Sequence, residues 1–142
     1  MTNLVVDSSV VVKWLTIEPF SSEALKILND YQVGAVNLLA PDLINAEVGN
    51  IIWKKHVFQG ISAIDAQLML DVFRRLDFVL TPTNVLLETA YHLAITHQRT
   101  VYDMLYVALS VRSGCQFVTA DEKLVNAISK TFPSVIWIAN WA

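Results

Sequence analysis

Cysteine is almost missing: Cys115 is the single one in 142 residues, so no intramolecular disulfide and no cysteine-built zinc site can form. Glycine and proline are also scarce, four of each. No run of Gly, Pro or Ser is long enough to make a linker or a low-complexity segment. Only 16% of the chain is charged while 54% is apolar, which excludes intrinsic disorder. The longest stretch free of Lys, Arg, Asp and Glu runs from Thr131 to Ala142, well short of the roughly 20 residues a membrane-spanning helix needs. Near the start, Asp7 interrupts the only apolar run and no basic residue precedes it, unlike a signal peptide. A cytoplasmic protein with no membrane partner is expected. The balance of 10 Lys+Arg against 13 Asp+Glu gives a net charge of −3, the opposite of the basic footprint common in nucleic-acid binders.

What is present is enough to build one core. A chain of this size can bury roughly 70% of its unfolded surface, and no internal repeat divides it, so a single domain over residues 1–142 is expected. Short β-branched runs alternate with longer segments of helical periodicity, the signature of an α/β domain with a mostly parallel sheet. Strands are expected at Asn3 to Asp7, Asn37 to Ala40, Asp77 to Leu80, Gln116 to Ala120 and Val135 to Ile138. Helices are expected from a Ser8-Ser9 cap to Trp14 or Leu15, from Ser21-Ser22 to about Tyr31, and from Pro41 to about Phe58. Others follow from Ser62 to Leu76, from Pro82-Thr83 to about Gln98, from Tyr102 to Ser113 and from Asp121 to Lys130. Gly34, Gly60 and Gly114 fall where helices stop.

Four carboxylates fall at informative places. Asp7 closes the first strand and Asp121 directly follows the strand ending in Ala120. In a parallel sheet both emerge at the carboxyl edge, where open α/β sheets bind ligands. Asp103 stands at a helix start, and Glu47 lies among the mostly apolar Ala46, Val48, Ile51 and Ile52. A carboxylate near a buried face needs compensation, which bound metal would supply. Each acid also has a plain structural reading. Asp7, Asp103 and Asp121 can be helix caps, and Glu47 can reach solvent or pair with Lys54.

The stretches VVDSSVVVKWL from Val5, PDLINAEVGNIIWK from Pro41, TVYDMLYVALSVRSG from Thr100 and FVTADEKL from Phe117 resemble the four ordered blocks of the PIN-domain family, most closely its VapC-like toxins. The resemblance spans nearly the whole chain. It implies a three-layer α/β/α fold with a mostly parallel central sheet, and a Mg²⁺- or Mn²⁺-dependent endoribonuclease site built from Asp7, Glu47, Asp103 and Asp121. In that reading Asp7 and Asp103 are direct metal ligands, Glu47 is a second ligand or orients the attacking water, and Asp121 completes the shell. It also implies an RNA substrate and a cognate antitoxin laid into a hydrophobic groove.

Around these acids, Ser8 and Thr119 can hydrogen-bond a carboxylate or phosphate, and Asn50, three residues after Glu47, can orient it. Lys13 and Arg99 are the bases nearest the proposed site in sequence. His56, His92 and His97 share no ligand motif, and the four tryptophans read as core or interface residues. The high apolar content suggests a surface covered by another chain, a second copy being the simplest. A binding module without catalysis and a housekeeping RNA-processing nuclease are the competing functions. An aspartate-nucleophile phosphatase would want an acid where Ser9 stands. With the four acids set aside, nine remain against ten Lys+Arg, so the acidity is concentrated in one place and RNA binding becomes conditional on a cation.

Overall fold

The computed structural model describes residues 1–141. Its elements run β1 (Thr2–Val6), α1 (Ser8–Leu15), α2 (Ser21–Gln32), β2 (Val36–Pro41), α3 (Leu43–Gln59) and α4 (Ala63–Arg74). They continue with β3 (Val79–Thr81), α5 (Thr83–His97), α6 (Val101–Ser113), β4 (Gln116–Thr119), α7 (Glu122–Ile128) and β5 (Val135–Trp137), closed by one 3₁₀ turn (Ile138–Asn140). The strands form one parallel sheet in the order β3-β2-β1-β4-β5. The expected layered α/β/α architecture is therefore the one observed. Right-handed crossovers put α1, packed on α2, α3 and α4, on one face. They put α6, paired with α5 and crossing β1, β2 and β4, on the other.

Central β1 and β2 are buried on both faces through Leu4, Val5, Val6, Leu38, Leu39 and Ala40, which is why their sequences are continuous apolar runs without alternation. In α6, every residue from Met104 to Ser110 is buried. A helix apolar on all sides has to lie inside the molecule, and this fixes where its first turn, carrying Asp103, meets the sheet. Trp14 and Trp141 are half-buried, each with its indole N–H bonded, to the Ala24 carbonyl at 2.7 Å and to Asp30 at 3.3 Å. Trp53 is exposed.

Several boundaries differ from expectation, each for a local reason. Asp7 lies just beyond β1 and itself caps α1, in place of the Ser8-Ser9 pair, because its carboxylate accepts from the Ser9 and Val10 N–H groups. Pro41 ends β2 by pairing with Thr81 in β3, so α3 begins two residues later. Phe20, at a left-handed φ of 66°, precedes α2 with no side-chain cap. The expected caps at Ser62 and at Gly60 and Gly114 are present. Ile138 leaves the last strand to start the 3₁₀ turn, and α7 stops at Ile128.

Candidate active site

Asp7 sits between β1 and α1, at the point where the chain leaves the central strand. One carboxylate oxygen, Oδ1, accepts from the Ser9 N–H at 3.1 Å, the Ser9 hydroxyl at 2.5 Å and the Val10 N–H at 3.4 Å. The other, Oδ2, accepts from the Thr119 hydroxyl at 2.5 Å. An ionised carboxylate can only accept, so both hydroxyls donate to Asp7. Ser9 Oγ already accepts from the Ala120 N–H at 3.0 Å, and Thr119 Oγ1 from the Asp121 N–H at 3.1 Å, so each hydroxyl proton is free for Asp7. Burial pushes the Asp7 carboxyl up to about 6, and the nearby Glu47 charge adds to the rise. The Ser9, Thr119 and Val10 donors pull the other way.

Glu47, in the first half of α3, accepts a hydrogen bond from the Tyr106 hydroxyl of α6. Burial raises its carboxyl, Tyr106 and Ser8 oppose that, and Asp103 adds repulsion. Tyr106 is itself buried and stacked on Phe117 of β4, ring centroids 5.7 Å apart at 14°. Its hydroxyl is held far in the neutral form by burial and by the Glu47 charge.

Asp103 occupies the first turn of α6, where Thr100 caps the helix by accepting the Asp103 N–H at 3.1 Å. Asp121 caps α7 through the Leu124 N–H at 3.1 Å. Arg99, just before α6, places Nη2 3.4 Å from Asp103 and 4.0 Å from Asp121. Burial raises the Asp103 carboxyl, Arg99 lowers it and Asp121 raises it, and the net direction is up.

The four predicted acids thus form one electrostatic chain, Asp7 to Glu47 to Asp103 to Asp121, in which the first three are raised and each feels the charge of the next. Each has protein partners of its own. As the side chains stand, no three carboxylate, histidine or cysteine groups among the described residues are gathered into a set that could hold a metal ion. The donor chemistry nevertheless suits a hard divalent cation: four acids, two hydroxyls and no sulfur or imidazole. Three of those acids are raised by burial and mutual repulsion, which a cation would relieve.

Of the supporting residues expected from sequence, Ser8, Thr119 and Arg99 lie at this cluster. Lys13 does not. Its ammonium is 3.2 Å from Glu18, which also holds Lys55 at 3.4 Å, tying α1 to α3. Asn50 is exposed and makes no hydrogen bond to Glu47, whose partner is Tyr106, and Lys54 is not paired with Glu47 either. Ser9 and Tyr106 were not legible as site residues, although both carried a signal. Ser9 stands two residues past a strand-ending Asp, and Tyr106 follows Asp103 by three, which puts it on the same helical face.

The PIN domain family model matches residues 4–129. The chain is similar to ribonuclease VapC3 of Pyrobaculum aerophilum, 32% identical over 136 residues, covering 94% of this chain and 97% of that one. It is also similar to ribonuclease VapC9 of Mycobacterium tuberculosis, 30% identical over 108 residues, 73% of this chain and 84% of that one. Among solved structures, PAE2754 from Pyrobaculum aerophilum superposes with a TM-score of 0.68 at 20% identity, covering 97% of this chain and 85% of that one. Mycobacterium tuberculosis VapC20, described as a Sarcin-Ricin loop cleaving toxin, gives 0.64 at 14% identity, with 87% and 94% covered.

Proposed function

This chain belongs to the PIN-domain family, and on that premise we propose that it is a Mg²⁺- or Mn²⁺-dependent endoribonuclease, the toxin of a toxin–antitoxin pair. The observation that carries the reading is the convergence of Asp7, Glu47, Asp103 and Asp121 from four separate elements into one chain of mutually repelling carboxylates. The ribonuclease names of curated relatives matched over most of their length support it.

A bound divalent ion supplies an activated water, charge relief on the nonbridging phosphate oxygens and stabilisation of the leaving alkoxide. The protein's part is to hold and orient. Asp7 and Asp103 would hold the ion, with Asp121 completing the set. Ser9 and Thr119 favour the ionised form of Asp7 and fix it by donating to both of its oxygens. Glu47, steadied by Tyr106, would take a second ligand position or orient the attacking water. Arg99 would meet a substrate phosphate.

The apolar groove between α3 and α4 supports a protein partner. It has about 270 Å³ of space lined by Ile52, Trp53, Ala66 and Leu70, with Phe58, Ile64 and Leu68 exposed nearby. An antitoxin segment would lie there, and a second copy of the chain would cover further exposed apolar residues on α5. No helix among the described residues is long and apolar enough to cross a membrane, in keeping with a cytoplasmic site of action.

The test is incubation of the purified protein with structured RNA. Cleavage with Mg²⁺ that is lost in EDTA and in Asp7→Asn is the expected result. RNA bound with Mg²⁺ but left intact would point to a binding module instead. Robust cleavage without growth arrest on expression would point to housekeeping RNA processing.

A further inference from the structure

Among the described residues, Arg99 is the one Lys or Arg ion-paired with any of the four acids. Its place is set by the backbone. Gln98 ends α5 in the left-handed region at φ 54°, the Arg99 N–H bonds the Ala94 carbonyl at 3.2 Å, and Thr100 at once caps α6. This tight corner pins Arg99 across the first turn of α6, opposite the start of α7.

The contacts the side chain makes there are poor ones. Distances of 3.4 and 4.0 Å from a single nitrogen exceed the roughly 2.7 to 2.9 Å of a good charge-assisted bond and are not bidentate. Nε is buried with no acceptor, an arrangement that disfavours the pose. About a quarter of the side chain faces solvent, which leaves it a way out while the backbone stays fixed.

We propose that Arg99 is a tethered counter-cation, holding the place of a divalent ion between Asp103 and Asp121, and that metal binding displaces it toward solvent, where it binds the RNA phosphate. The proposal rests on the metal-dependent ribonuclease reading above. A dication offers twice the charge and prefers carboxylate oxygen, so exchange satisfies both acids better and frees a guanidinium suited to phosphate.

Three measurements on wild type, Arg99→Gln and Arg99→Lys test it: Mn²⁺ affinity by electron paramagnetic resonance titration, melting in EDTA and in saturating Mn²⁺, and kcat and KM on RNA. Arg99→Gln is expected to bind Mn²⁺ several-fold to tenfold more tightly. It should melt below wild type in EDTA, equal or exceed it in Mn²⁺, and show a raised KM at nearly unchanged kcat, with Arg99→Lys in between. Unchanged or weaker Mn²⁺ affinity, or the same melting loss with and without metal, overturns the exchange, and an unchanged KM overturns the phosphate role. Failure of the wild type itself to bind Mn²⁺ removes the metal-dependent reading as well, whereas wild-type binding that Arg99→Gln leaves unaltered removes this inference alone.

Discussion

Asp7 is the residue on which the electrostatics turn. Its carboxyl moves from an ordinary 3.8 to about 6, and at about 1.4 kcal/mol per pH unit the charged form costs the fold up to about 3 kcal/mol in the absence of a cation. The sign follows from linkage. Below pH 3.8 the group is protonated whether folded or unfolded and costs nothing. Between about pH 4 and 6 the unfolded chain ionises first, so stability falls as pH rises, and above that the cost is constant. Urea midpoints in EDTA should therefore show wild type losing ground to Asp7→Asn from about pH 4 to 6 and no further. Millimolar Mg²⁺ should restore the wild type at pH 7 and do little for the variant. Asp7 was legible in the sequence because it closes the first apolar run, and Thr119 because it stands two residues before Asp121. Tyr106 was not, because Met104 to Leu109 reads as an apolar helix in which a tyrosine passes for core, and its spacing from Asp103 is the one signal it carries. The pairing of Lys13 with Glu18 was hidden for another reason, since the loop that carries Glu18 back to α1 is set by tertiary structure.

At the scale of elements, the site is made of helix starts. Asp7 caps α1, Thr100 caps α6 with Asp103 in its first turn, and Asp121 caps α7. Asp7 and Asp121 are at once helix caps and members of the carboxylate chain. The short corner between α5 and α6 is the least comfortable junction. Gln98 holds a left-handed φ of 54°, which glycine adopts at no steric cost. Gln98→Gly should raise stability by roughly 0.5 to 1 kcal/mol in urea unfolding while leaving RNA cleavage unchanged. A loss of stability would mean that the glutamine side chain contributes something the backbone does not reveal. Helix periods and Gly stops located nearly every element. The ends moved where partners decided them, as when Thr81 drew Pro41 into β2 and delayed α3.

For the whole molecule, strand order is what brings the acids together. The chain leaves β1 toward β2 and β3, then returns to lay β4 on the other side of β1, and this reversal makes a topological switch point between β1 and β4, the place where open α/β sheets bind ligands at their carboxyl ends. No local pattern announces that β1 and β4 are neighbours; the register Val6 to Val118 shows it. Because four of the 13 acids are gathered there, the rest of the surface is close to neutral, and RNA should be held through the cation more than through a basic face. Affinity for a hydrolysis-resistant RNA, measured by fluorescence anisotropy, should be at least tenfold tighter in Mg²⁺ than in EDTA. It should also show a shallow dependence on monovalent salt, where a basic surface would give a steep one.

The hydroxyl stitching around Asp7 has a consequence in time. Ser9 and Thr119, and Asp7 and Thr119, meet across 110 and 112 residues of chain. During synthesis the first acid therefore has only its local Ser9 and Val10 donors until Thr119, 112 residues further on, has been made. A nascent fragment that already carries Asp7, Glu47 and Asp103 still lacks β4 and the Thr119 hydroxyl that donates to Asp7 Oδ2. The carboxylate cluster is therefore complete only after β4 has joined β1 and Asp121 has capped α7.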